Sequence, residues 1–140
     1  MQNLILLVED DPDHILLIER ALRKVRLANP IRVMRDGEEA RDYLSGAGAF
    51  ADRDAYPLPM LVLLDLKLPR LSGLELLRWI RSRQEISKLS VAVLTSSKDS
   101  EDLSAAFELG IDFYLIKPAA FDTVLDLMMV IDLPWAFQEN

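Results

Sequence analysis

The sequence has no cysteine, which removes a disulfide framework, a zinc–thiolate site and a thiol nucleophile together. Histidine is nearly absent too: His14 stands alone, so no multi-histidine metal site exists. Positive charge is in short supply, with 16 lysines and arginines against 23 aspartates and glutamates and a formal net charge of -7. An acidic chain of this kind is a poor match for nucleic acid or an anionic membrane as direct partner, because both are negative themselves. Long apolar runs are missing. The N-terminal run has no basic leader and stops at Glu9-Asp10-Asp11, far short of the ~20 residues that cross a bilayer. A soluble cytoplasmic protein is therefore the expectation. No internal repeat and no low-complexity tract occurs.

What remains is a chain of 140 residues, 51% hydrophobic, a size and composition that fill one core without a metal or disulfide staple. Short apolar runs alternate with helical patterns five times. Leu4–Val8 reads as the first strand. Asp11-Pro12-Asp13 then has the chemistry of a helix start, an Asx cap with proline at the first helical position. Ile15, Ile18, Leu22 and Val25 fall on one face of the helix that follows. Ile31–Met34 is predicted as a strand, Arg35-Asp36-Gly37 as a turn and Glu38–Leu44 as a helix. Ser45–Pro59, with two glycines and two prolines, reads as the longest connector. Met60–Leu64, apolar throughout, fits a strand buried on both faces. The pattern repeats with a helix over Leu74–Ile80, a strand over Val91–Leu94 and a helix over Leu103–Leu109 closed by Gly110. Phe113–Ile116 and Phe121–Ile131 supply the last strand and helix. Such alternation indicates an α/β fold with a parallel sheet covered on both faces.

Open sheets of this class bind ligands beyond the carboxyl ends of their strands. Those ends carry Glu9 and Asp10, then Asp65, Thr95, and Lys117 followed by Pro118. Three carboxylates so close repel one another. A hard divalent cation relieves the conflict, and oxygen ligands suit Mg²⁺, which keeps waters and phosphate oxygens in its shell. Lys117 and the cation would neutralise a phosphoryl group arriving at one of the carboxylates, a reaction governed by positioning and electrostatics. The product would be an acyl phosphate.

The strand-end set, with Asp65-Leu66-Lys67-Leu68-Pro69 and Gly73 after it, resembles the CheY-like receiver domain of two-component response regulators, from about Leu4 to Ile131. The resemblance implies a doubly wound (βα)5 three-layer sandwich with its parallel five-stranded sheet in the order 2-1-3-4-5. In that order the third strand is central, which makes Asp65 the phosphoacceptor. It further implies that Glu9, Asp10, Asp65 and the backbone carbonyl of Lys67 hold Mg²⁺, with Glu9 acting directly or through water. Thr95 and Lys117 would bind the phosphoryl group, the Lys117–Pro118 bond would be cis, and Thr95 and Tyr114 would form the switch. Lys67 and Ser97 occupy positions that influence how attacking water meets the phosphate. The long connector and the tail Leu133-Pro134-Trp135-Ala136-Phe137 are similar to receivers paired with bacterial and cyanobacterial phytochromes. That similarity implies a light-sensing histidine kinase as phosphodonor.

The expected organisation is a receiver over 1–132 and an aromatic tail over 133–140, with no output domain. Output would then pass through protein contacts around the fourth helix, fifth strand and fifth helix, or by relay to a downstream phosphotransfer protein. The last helix is apolar nearly all round, so more than its core side should be covered. Phe121, Leu125, Met128, Met129, Trp135 and Phe137 are the expected homodimer surface; a tail folded back on its own domain is the other reading. His14 is expected on the surface of the first helical turn, without a role. Other functions fit less well. An aspartyl-phosphate phosphohydrolase, a true enzyme with separate substrates, usually needs an acid where Lys67 stands. An FMN carrier would set its phosphate against Glu9-Asp10-Asp11. A pseudo-receiver working without phosphorylation is disfavoured by the complete acidic set.

Overall fold

The computed structural model describes residues 3–96 and 100–139. The chain runs β1 (Ile5–Val8), α1 (Pro12–Lys24), β2 (Ile31–Met34), α2 (Gly37–Ser45), β3 (Leu61–Asp65), α3 (Gly73–Ser82), β4 (Ser90–Thr95), α4 (Ser100–Glu108), β5 (Phe113–Ile116) and α5 (Phe121–Val130). All strand pairs are parallel and the sheet order is β2-β1-β3-β4-β5. This is the doubly wound CheY-like fold that the resemblance implied. Element centres match the expectations; β2 and β5 agree at both ends, and the other ends move by at most three residues. The largest shift is α4, which starts at Ser100 instead of Leu103.

Alternation along each strand builds two core layers. Leu6, Val8, Val62, Leu64, Val91 and Val93 face α2, α3 and α4, while Ile5, Leu7, Leu61, Leu63, Ala92, Leu94 and Leu115 face α1 and α5. β1 and β3 are buried along their whole length, as strands covered on both faces must be. Each such side chain contributes about 1.5–3 kcal/mol on leaving water.

Local chemistry explains the helix starts. Asp11 caps α1, its side chain accepting from the Asp13 amide, with Pro12 in the first turn. Asp36 accepts from the Glu39 amide at 2.8 Å. Ser72 and Glu75 form a reciprocal capping box on α3. Gly73 is required by close approach: a Cβ there would lie 2.0 Å from the Asp65 carbonyl oxygen. The first residue of α3 thus packs against the backbone of the strand end that carries the site.

Two segments differ from expectation. The Ser45–Pro59 connector is not simply a loop. It contains a 3-10 turn over Gly48–Phe50, and Tyr43, Phe50 and Tyr56 stack within 5.2–6.2 Å of one another. Tyr43 is fully buried and its hydroxyl donates to the Pro57 carbonyl at 2.6 Å. Arg53 fastens the same unit by donating to the carbonyls of Tyr43, Leu44 and Tyr56.

The second difference lies in the tail, which folds back on its own domain at the pole opposite the strands' carboxyl ends. Ala28 donates to the Ala136 carbonyl and Gln138 to the Arg26 carbonyl, each at 2.7 Å. Asn29, almost fully buried, accepts from the Ala136 amide at 2.6 Å and donates to Pro134 and Asn3 carbonyls. Trp135 is half-buried against the α1–α5 core layer and donates to the Ile131 carbonyl. It is therefore committed within the domain, unlike the exposed interface residue expected of it. Met129, Val130 and Phe137 do remain exposed, whereas Leu125 and Met128 are partly covered. Phe121 sits beneath the Lys24 ammonium, 4.8 Å from the ring centre.

Candidate functional site

β1 and β3 are neighbours, so their last residues deliver acids to one place. Glu9 follows β1 directly and is fully buried; Asp10 comes next and is exposed; Asp65 ends β3 with 3% of its surface accessible. One oxygen from each of the three lies within 4.8 Å of the others. The order β2-β1-β3-β4-β5 places Asp65 between the acids of β1 and the end of β4.

Lys117 reaches into this group from the end of β5. Its ammonium is 2.8 Å from Asp65 Oδ2 and 2.9 Å from Glu9 Oε2. The bond to Pro118 is cis. Asp65 Oδ1 accepts the backbone N–H of Lys67 at 3.0 Å, so both acceptor oxygens have a fixed donor. Burial raises the Glu9 carboxyl to about 7; Lys117 opposes that rise, and the neighbouring Asp65 charge adds to it. For Lys117 burial acts downward, but its hydrogen bonds and charge contacts with Asp65 and Glu9 prevail and hold the ammonium above its ordinary range.

Thr95 ends β4, buried, with its hydroxyl donating to the Ser96 carbonyl at 3.1 Å. Tyr114 faces outward from β5, 40% exposed, in edge contact with Phe107 at 5.7 Å. Lys67 sends its ammonium to Asp102 of α4 at 2.8 Å. Ser97 lies outside the described residues. His14, expected to be a bystander, is half-buried, with Nδ1 3.6 Å from both Glu9 Oε1 and Asp11 Oδ2. Its place one turn after the acidic triplet, on the first turn of α1, is the signal that would have found it.

Chemically, the site unites a buried carboxylate with a fixed ammonium and two further acids. That donor set suits a hard divalent cation, since every ligand is oxygen and the excess negative charge calls for one.

These features define a class. The response regulator receiver domain model matches residues 5–129, and the chain belongs to that family. Response regulator Rcp1 of Synechocystis is 31% identical over 133 residues, covering 95% of this chain and 88% of Rcp1. Among solved structures, the bacteriophytochrome response regulator RtBRR superposes with a TM-score of 0.89 at 38% identity, covering 100% of this chain and 84% of that one. The Mn(2+)-bound form of Rcp1 gives a TM-score of 0.81 at 28% identity, covering 96% and 99%. The chain is thus a two-component receiver related to phytochrome-associated response regulators. No helix among the described residues is long and apolar enough to cross a membrane.

Proposed function

We propose that the chain accepts a phosphoryl group from a sensor histidine kinase on Asp65, with Mg²⁺, and passes the change on through protein contacts. The observation that carries this reading is the environment of Asp65: buried at the end of the central strand, 2.8 Å from the Lys117 ammonium and grouped with Glu9 and Asp10. Glu9, Asp10, Asp65 and the Lys67 carbonyl would hold the cation, which when bound supplies charge neutralisation for the phosphoryl oxygens. The Mn(2+)-bound state named for Rcp1 supports a divalent ion at this cluster.

The chain's own residues do the rest. Asp65 Oδ attacks phosphorus and the phosphodonor departs with the bonding electron pair. Lys117, already in contact with Asp65, stays beside the transferred group and compensates its charge. Thr95 turns its hydroxyl from the Ser96 carbonyl to a phosphoryl oxygen, and Tyr114 changes its packing against Phe107 in response. The surface that changes is formed by α4, β5 and α5. Kinship with bacteriophytochrome regulators makes a phytochrome-type kinase the favoured donor in a cytoplasmic relay, with a phosphotransfer protein as one outlet downstream. The exposed Met129, Val130 and Phe137 are the apolar patch on which a second copy would dock.

The test uses acetyl phosphate as donor, with and without Mg²⁺. One base-labile, acid-stable phosphate is expected on Asp65, dependent on the metal and absent from Asp65→Asn. Equal labelling of that variant would sink the reading.

A further inference from the structure

At the amino-terminal edge of the sheet, remote from Asp65, lies a groove that the phosphoryl site does not use. Two clefts of about 520 and 270 Å³ meet there and share Leu58, Glu85 and Ile86. One wall is the end of the connector before β3; the other is the α3–β4 connection with Trp79 of α3. Leu44, Pro59 and Ile86 supply a buried apolar lining, while Leu58 is 44% exposed and Trp79 and Leu89 are half-buried. Among the described residues that line the groove, Arg53, Arg83 and Lys88 are cations and Glu85 is the one acid. Arg53 donates to the carbonyls of Tyr43, Leu44 and Tyr56, and Lys88 is exposed. Neither is paired with a carboxylate among the described residues. Arg83 lies over the Trp79 ring at 5.7 Å, with Glu85 Oε2 a loose 3.8 Å away. Residues 44–89, which build the groove, hold seven bases and five acids, a net charge of +2 within a chain of -7.

We propose that this groove docks a short acidic segment of a partner protein, one that carries a bulky apolar side chain between its carboxylates. The apolar side chain enters between Leu58 and Trp79, and the carboxylates meet Arg53, Arg83 and Lys88. Charge complementarity fixes the sign of the occupant: the cations exceed the acid, and an unpaired cation keeps its field. The acidic residues 97–140 do not line the groove, and salt near 0.1 M screens exposed charges beyond about 10 Å. The apolar lining fixes the class. A buried apolar anchor with a charged rim suits a peptide. A nucleic acid brings phosphates without such an anchor, and its length carries it onto the acidic remainder of the surface. The groove stands at the start of β3 and β4, roughly 13 Å along the strand from Asp65, and Thr95, Tyr114 and α4 take no part in it. Docking there is therefore a standing anchor, independent of phosphorylation and separate from the surface that passes the change on.

The experiment titrates the full chain into a short fluorescent peptide in which glutamates flank a Trp-Leu pair, and reads its anisotropy. Saturable binding is expected, lost when lysines replace the glutamates and weakened several-fold as salt rises from about 0.05 M to about 0.5 M. Arg83→Glu and Lys88→Glu, both at exposed positions, should each weaken it several-fold with a melting temperature near that of the parent. Leu58→Ser should weaken it as well, whereas Arg20→Glu, the same reversal on the exposed side of α1, leaves it unmoved. Acetyl phosphate with Mg²⁺ should leave the affinity within error. Equal binding of the glutamate and lysine peptides, or parent-like affinity in all three groove variants, overturns the proposal. Tighter binding of a single-stranded oligonucleotide, weakened by the same variants, overturns it in favour of a nucleic acid. An affinity that moves several-fold with acetyl phosphate overturns the standing anchor.

Discussion

Closing Glu9 off from water raises its carboxyl to about 7, with Lys117 pulling the other way and Asp65 pushing further up. A carboxyl whose folded value exceeds its ordinary 4.5 takes up a proton on folding between those two values. Its contribution to stability therefore falls as pH rises through that window. A cation needs the anion, so binding releases a proton near neutrality. Mg²⁺ affinity is expected to climb from about pH 6 to about pH 8, with proton release, and Glu9→Gln should flatten the rise. Titration calorimetry in buffers of differing ionisation enthalpy reads both quantities; a flat parent profile would show that Glu9 is already ionised. Glu9, Asp10, Asp65, Thr95 and Lys117 were legible in the sequence because each ends an apolar run. His14 was signalled only by its place one turn after the acidic triplet, and Asp102 not at all. His14 meets Glu9 only because α1 turns back over the end of β1, and Asp102 meets Lys67 through the packing of α4 beside α3. No periodicity reports either contact.

At the scale of elements, the parts of the fold are tied by side chains that serve backbone. Arg81 on α3 donates to the carbonyls of Ser87 and Leu89 in the α3–β4 connection and of Leu109 and Gly110 after α4. One guanidinium thereby fixes two connections that enter the sheet side by side, into β4 and β5. Arg81→Leu fills similar space but strands those carbonyls, and about 2–3 kcal/mol of stability should be lost. Urea unfolding measures it, and a loss within error would mean that water replaces the guanidinium freely. Strand and helix positions followed from apolar spacing and capping residues. The connector after α2 and the tail did not, since their order depends on Arg53, Tyr43 and Asn29 meeting carbonyls far away in sequence. Proline and glycine mark the connector and Pro134 marks the tail as irregular, but they say nothing of what irregular backbone packs against.

Over the whole molecule, charge is unevenly divided. Residues 1–96 carry as many basic as acidic side chains, so the net charge of -7 belongs entirely to residues 97–140, where Lys98 and Lys117 are the only bases. A second copy docking on the end of α5 and the tail brings two acidic thirds together. Such a proposed dimer would have to associate through Met129, Val130 and Phe137 against electrostatic opposition. Added salt is expected to favour the dimer, as sedimentation velocity over a salt series would show; weakening by salt would point to ion pairs across the interface instead. The folded-back tail has a practical corollary. Its end is pinned near Arg26 and Asn29, at the far pole from Asp65, and the native chain contains no thiol. A single cysteine at Glu139, exposed and two residues past Phe137, therefore offers one unambiguous attachment point for a dye, where the label would sense self-association without removing a residue of the apolar patch and without touching the acidic site at the other pole.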